Sequence, residues 1–380
     1  PVKVCVDHLK IGKARAVVVN SGNANACTGS KGRVDAESMC RQTAKHLGIK
    51  ASEVFVASTG RIGLPLPMLN IRQGVEAACG ELTTESLGGD QLAEAIMTSD
   101  THPKQYALEV NLGGKKVTIG GVAKGAGMIQ PGMSPTGNRP YSMPLHATML
   151  SFITTDAAIS KPTLQRCLTE AVASTFNRIT VDGDMSTNDT VLVLANGLAE
   201  NQTIRHTAKD AASKSSLSLF QQALNLVCFA LAKMLVKDGE GVSRFVTVRV
   251  AGAKTNQQAD AAVRSVANSS LVKTSWLGGD PNWGRIIDAL GYSDATVEEN
   301  KVDIGYSTAG SSKILYSLKA GKPTRVTFER LCRAVADPEF DLHVNLNLGK
   351  GKAVMYASDL TEEYVEFNKG DVTDPASLGG

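Results

Sequence analysis

The residue best placed to do chemistry is Thr148, in the stretch 123–158, AKGAGMIQPGMSPTGNRPYSMPLHATMLSFITTDAA. Gly125, Gly127, Gly132 and Gly137, with Pro131, Pro135, Pro140 and Pro144, oppose regular structure before Ala147. From Thr148 onward TMLSFITTDA is apolar and β-branched, the pattern of a buried strand. If the Ala147–Thr148 bond were cut, the Thr148 hydroxyl would be a nucleophile with its own base, the new α-amine, whose ordinary pKa is near ~8. By residue type alone, a threonine opening a strand also fits a purely structural role, and His146 two residues earlier either assists proton transfer or is incidental.

Other segments carry weaker signals. Ser58-Thr59-Gly60 follows the strand-like EVFVA, where a hydroxyl and backbone N–H groups could face a developing oxyanion, or simply form a turn. NSGNANACTG (20–29) follows a strand in the same way and reads equally as turn chemistry. DGDMSTNDT (182–190) fails as a calcium loop: Thr187 stands where the sharp-turn glycine belongs and Val193 where the bidentate Glu belongs. Polar side chains bonding the loop's own backbone suit it better. In KDGEGVSRF (237–245), Gly239 reads as a helix C-cap, and Glu240 as a loop carboxylate that pairs with a substrate ammonium or stays solvated. In GGDPNWGRII (278–287), Trp283 reads as a packing anchor. KGAGM lacks the third glycine of a dinucleotide fingerprint, and GKGK (349–352) is no P-loop.

The elements that must position these residues are mixed. ARAVVV (14–19) and EVFVAS (53–58) read as strands around a helix in DAESMCRQTAKHLG, and QLAEAIM reads as helix. YALEVNLGGKKVTIGGVA reads as a hairpin turning at Gly113–Gly114. Helices are expected over PTLQRCLTEAVASTF, SLFQQALNLVCFALAKMLVKDG, DAAVRSVANSS and FERLCRAVAD, and strands at VLVLAN, RFVTVRVAG, KILYSL and EFDLHVNLNLG. The class is therefore α/β or α+β with layered sheets, with a seam between N- and C-terminal parts in the loop 125–147.

The 380 residues can bury a large core, and 42% apolar with 20% charged residues suits a globular protein. A formal charge of +3, with only 5% aromatics, disfavours a nucleic-acid surface and leaves small-molecule work. The seven cysteines are scattered without a CxxC, which argues for buried thiols in a reducing compartment rather than disulfides or zinc. The apolar run around LNLVCFALAKMLV is too short for a bilayer and is broken by Lys233; neither a membrane span nor a signal peptide is expected. The chain opens with Pro1 rather than Met, as a processed or truncated product would.

NSGNANACTG, ASTGRIGLPLP, IMTSDTHPK, KGAGMIQP, ATMLSFITTDAA, DGDMSTNDTV, KDGEGVSRFVTV and GGDPNWGRI, in this order, closely resemble the ornithine acetyltransferases (glutamate N-acetyltransferases) of the cyclic arginine pathway. The resemblance implies a layered α/β sandwich superficially like N-terminal-nucleophile hydrolases, with a smaller C-terminal lobe. It implies self-cleavage between Ala147 and Thr148 into an α chain (1–147) and a β chain (148–380), with an oligomer of αβ units as the assembly. Thr148 would then take acetyl from N2-acetylornithine and pass it to glutamate through an acetyl-threonine ester, with no metal or prosthetic group. Thr59 and Gly60 match the family's oxyanion-hole pair; Thr101, Lys124, Thr148 and Glu240, with Asn368 and Thr373, match its substrate-contacting residues. Some members use acetyl-CoA as a second donor. Such an enzyme belongs in the cytoplasm, or in the mitochondrial matrix of a eukaryote. A related self-processing amidohydrolase or aminopeptidase, with water as acyl acceptor, is the competing reading.

Three departures stand out. GMSPTGNRPYSMPLH (132–146) looks like an insertion beside the scissile bond, the usual N-terminal segment is absent, and DPASLGG runs past Thr373.

Overall fold

The structure, a computed structural model, describes residues 1–134 and 149–369. His146, Ala147, Thr148 and Thr373, with nearly all of the apparent insertion, lie outside the described residues. The chain divides into two compact units, one built from Pro1–Asn177 and Asp184–Leu235, the other from Arg178–Gly183 and Val236–Lys369.

In the first unit, β1 (Ala16–Asn23) and β2 (Val54–Arg61) form a parallel pair. The hairpin β3 (Lys104–Leu112) and β4 (Lys115–Lys124) turns at Gly113 and Gly114, as expected, with φ of 61° and 88°. Positive φ at both central residues matches the twist of the flanking strands. β5 (Leu150–Thr155) lies antiparallel to β4. After β6 (Ile179–Thr180), which belongs to the second unit, β7 (Thr190–Ala195) runs parallel to β5 and completes a four-stranded sheet.

Alternation along these strands stacks the layers. Val17, Val19 and Ala57 meet Val122, Leu150 and Phe152, sheet on sheet. Behind the first sheet, Val54 and Val56 pack on Val4, Met39 and Cys40 of the helices Val2–Ile11 and Gly29–Leu47. On the far side of the second sheet, Leu231 of the helix Ala211–Lys237 lies against Gly121, where a Cβ would come within 3.1 Å of it. Helix, sheet, sheet, helix is the layered sandwich expected. Each fully buried Val or Leu in it contributes on the order of 1.5–3 kcal/mol.

The second unit carries a seven-stranded sheet in the order β11–β10–β9–β12–β8–β13–β6. Its further strands are β8 (Phe245–Ala253), β9 (Asp303–Thr308), β10 (Leu315–Lys319), β11 (Lys322–Pro323), β12 (Glu339–Asn345) and β13 (Gly351–Ser358). Val246, Val248, Ile304, Tyr306, Phe340, Leu342 and Met355 face the helices Asn256–Asn268, Ser270–Leu277 and Trp283–Gly291. Trp276 is the deep anchor there, while Trp283 is only partly buried against the same core.

Four expectations need correction. The loop 125–147 is not the seam between units: β4 and β5 on either side of it pair with each other, so it connects neighbours in one sheet. The long apolar helix runs the 27 residues Ala211–Lys237, enough by length and hydropathy to cross a membrane. Phe220, Leu224, Val227, Cys228, Leu231 and Leu235 are nonetheless buried within the structure, as in a core helix. Gly239 is not the left-handed cap; that conformation falls to Gly241 (φ 66°), while Gly239 is fixed by packing, its Cβ site lying 2.6 Å from Val242. The thiols are not uniformly buried: Cys5, Cys40, Cys167 and Cys228 are, whereas Cys27 is exposed. Burial raises the Cys40 and Cys228 thiols to about 12.

Candidate active site

The end of β2 is built by close backbone approach. Gly60 lies opposite Gly22 in the parallel register, with φ of 122°. A Cβ on Gly60 would stand 2.3 Å from the Gly22 carbonyl carbon and 2.7 Å from the Asn23 nitrogen, so only glycine fits. Thr59 beside it is fully buried.

The Thr59 hydroxyl meets Lys124, the last residue of β4. The Lys124 ammonium donates to Thr59 Oγ1 at 3.1 Å and to Thr98 Oγ1 at 2.7 Å. An ammonium has no acceptor lone pair, so the Thr59 oxygen accepts here and keeps its own proton for another partner. Asp100 lies behind Lys124, its carboxylate 3.6 Å from the ammonium. That carboxylate accepts from the Lys104 ammonium and the Gly125 N–H, both at 2.6 Å, and from the Thr98 N–H at 3.1 Å. Burial pushes the Asp100 carboxyl up, but the charges of Lys124 and Lys104 and the Gly125 N–H outweigh it and hold the group below the usual carboxylate range. Thr101, the next residue, is exposed.

Leu150 is the register partner of Lys124, so the described chain resumes at Met149 beside this cluster. The Met149 N–H donates to Asp189 Oδ1 at 2.8 Å. Asp189 belongs to the STND turn, which bonds itself as expected: the Asn188 N–H donates to Ser186 Oγ at 2.8 Å. The turn also reaches outward, the Asn188 amide donating to the Ser58 carbonyl at 3.0 Å and to the Ala24 carbonyl. It therefore holds the end of β2 from one side and residue 149 from the other. A cavity of about 300 Å³ in this unit is lined by Phe55, Met133, Leu168, Asp189 and Leu192 among others, but not by Thr59 or Lys124.

In the second unit, the structure brings two predicted residues together across 128 positions: the Asn368 amide donates to Glu240 at 2.9 Å. The Glu240 loop is pinned by Asp359, which accepts the Ser243 and Arg244 N–H groups at 3.0 Å each. Gly241 is pressed so close to the helix Glu362–Asn368 that a Cβ would lie 2.5 Å from the Tyr364 nitrogen. Among the described residues, no group of three or more His, Cys, Asp or Glu is arranged to hold a metal.

Of the residues singled out in the sequence, the structure brings Thr59 and Lys124 together in the first unit and Glu240 and Asn368 together in the second; Thr98, Asp100, Lys104, Asn188 and Asp189, which bond around the first pair and the end of β2, were not singled out. All five lie in strings already noted, IMTSDTHPK and DGDMSTNDT, where the i, i+4 spacing of Asp100 and Lys104 was the available signal.

The ArgJ family model matches residues 1–371. The protein named arginine biosynthesis bifunctional protein ArgJ of Symbiobacterium thermophilum is 44% identical over 368 residues, 97% of this chain and 85% of that one. Its namesake from Geobacter sulfurreducens is 43% identical over 97% of this chain and 87% of that one. A crystal structure of arginine biosynthesis bifunctional protein argJ from Bacillus halodurans is similar at 41% identity and a TM-score of 0.53, covering 58% of this chain and 99% of that chain.

Proposed function

The chain belongs to the ArgJ family, and from that premise we propose how its residues carry out acetyl transfer in arginine biosynthesis. Thr148 is the nucleophile, freed when its hydroxyl attacks the Ala147 carbonyl and water hydrolyses the resulting ester. The hydroxyl then attacks the acetyl carbon of N2-acetylornithine while the Thr148 α-amine takes its proton. The oxyanion that forms accepts from the Thr59 hydroxyl and the Gly60 N–H. Collapse returns the proton to the leaving ornithine amine and leaves acetyl-Thr148. Glutamate's amine reverses these steps and departs as N-acetylglutamate.

The observation that carries this reading is the Lys124–Thr59 hydrogen bond, at 3.1 Å, beside the strand β5 that begins two residues after Thr148. It orients the Thr59 proton away from Lys124, and the adjacent positive charge makes that proton a better donor. By family resemblance Thr101, Lys124, Glu240, Asn368 and Thr373 are the substrate-contacting residues, and the charges of Lys124 and Glu240 suit the carboxylate and ammonium groups of amino-acid substrates. The Bacillus halodurans chain, covered over 99% of its length yet matching 58% of this one, fits a β chain of residues 148–380, about three-fifths of the sequence.

Acetyl-CoA as an alternative donor to the same threonine accounts for the second activity in the relatives' name, and no prosthetic group is needed. The assembly is an oligomer of αβ units. The relatives named above are bacterial, and the cytoplasm of such a cell is the proposed location. The test is ornithine release from N2-acetylornithine with and without glutamate. Release that depends on glutamate supports transfer; equal release in its absence means water is the acceptor and the protein is a hydrolase.

A further inference from the structure

We propose that Asp100 is a positioning residue for the transfer site: its buried carboxylate fixes the Lys124 ammonium against the Thr59 hydroxyl, with Lys104 held by the same carboxylate as a second cation. The inference rests on the acetyl-transfer reading above.

The Asp100 side chain is 0% exposed, that of Lys104 2% and that of Lys124 3%. Burying three charges is costly unless each is hydrogen-bonded, and a buried ionic cluster adds little stability over an apolar core of similar volume. The geometry instead defines a direction. Asp100 Oδ2 accepts the Thr98 N–H at 3.1 Å, Thr98 Oγ1 accepts from Lys124 at 2.7 Å, and Lys124 stands 3.6 Å from Asp100 Oδ2. This closed ring aims the ammonium's remaining reach at Thr59 Oγ1. Asp100 Oδ1 meanwhile holds the Gly125 N–H, fixing the backbone just past Lys124. The groups facing Lys124 include Asp100, with Lys104 across the same carboxylate, and the neutral hydroxyls of Thr59 and Thr98.

The chemical consequence is a hydroxyl with a fixed direction. An ammonium can only donate, so Thr59 must turn its O–H elsewhere. Without the Asp100 charge, burial favours the neutral amine of Lys124, which has a lone pair. Thr59 would then donate to Lys124, and the oxyanion would lose that donor.

The experiment compares wild type with Asp100→Asn in two readouts. In steady-state transfer from N2-acetylornithine to glutamate, the variant should lose ~10²–10³ in kcat, the loss of one oxyanion donor, with the KM for N2-acetylornithine within about 3-fold. Unchanged kcat, or a loss carried entirely by KM, overturns the proposal. In the second readout, ¹³C NMR of lysine labelled at Cε follows Lys124, assigned by comparison with Lys124→Arg. The wild-type signal should be that of an ammonium at the pH of the assay, and the variant's should convert to the amine at lower pH than wild type's. A wild-type Lys124 that is already a neutral amine at about pH 8 overturns the proposal, and this holds even if Asp100→Asn does not fold. Wild type that transfers no acetyl sinks the functional reading, while the titration still decides whether Asp100 keeps Lys124 charged.

Discussion

Replacing Gly60 with alanine tests the site's geometry through a single methyl group. The new Cβ would sit 2.3 Å from the Gly22 carbonyl carbon, against the ~3.4 Å at which ordinary contact begins, so β1 and β2 must part by roughly 1 Å. The obstacle is backbone on both sides and cannot be relieved by a rotamer change. Alanine at φ 122° adds strain of about 1–3 kcal/mol. A displacement of ~1 Å at groups that stabilise a transition state costs about 100-fold in rate, or roughly 3 kcal/mol. Gly60→Ala should therefore lower kcat for ornithine release at least ~100-fold and lower the melting temperature as well. Gly48→Ala is the matched control: φ there is 63°, with nothing within 4 Å of the added carbon. It should lose only the ~1–2 kcal/mol of left-handed strain and keep activity within about 2-fold. If Gly60→Ala transfers acetyl within about 3-fold of wild type and melts no lower than Gly48→Ala, the close-approach argument is wrong.

Thr59→Val keeps the branched shape and removes the hydroxyl; it should cost ~10²–10³ in kcat and, by taking one acceptor from the buried Lys124 ammonium, lower the melting temperature as well, which stopped-flow or coupled ornithine assays and a thermal melt would check. Glu240→Gln should raise the KM for the amino-acid substrates by roughly 10-fold and leave the Asn368 contact a neutral hydrogen bond; an unchanged KM would remove Glu240 from the binding set. Burial drives the Lys273 ammonium down to about 8, although Asp182 and Asp359 oppose the shift. Its folded pKa then lies below its unfolded one, so between about 8 and 10.5 the unfolded chain binds more protons and stability rises with pH. Urea midpoints across that window should climb in wild type and climb less in Lys273→Met.

What was legible in the sequence depended on how local its cause was. The hairpin at Gly113–Gly114 needs two adjacent positive-φ residues and an alternating flank, and both are visible in the chain. The helix Gly29–Leu47 begins six residues before Asp35, where the sequence reading started it, and takes in Gly29 and Gly32, residues that ordinarily disfavour a helix. Gly32 is instead required by packing, since a Cβ there would lie 2.4 Å from Asn25 Oδ1 and still closer to Thr28. The helices Val2–Ile11 and Met68–Gly80 were not seen at all: the first is short and interleaves β-branched with charged residues, and the second buries only Val75 among its residues. Thr59 and Lys124 in the first unit, and Glu240 in the second, were singled out through strings resembling a family. The Asp100–Lys104 pair is local, but what it is paired with is not: Lys124 meets Thr59 across 65 positions, and Asp100 meets Gly125 across 25, and no spacing in the chain shows those contacts.

The central claim is that Thr148 works as a new N-terminus. A denaturing intact-mass spectrum of the purified protein, read beside the acetyl-transfer assay on the same sample, tests it most directly. Two polypeptides meeting at Ala147 and Thr148, with activity in proportion to the cut fraction, are the expected result. A single uncut chain that still transfers acetyl to glutamate would contradict it.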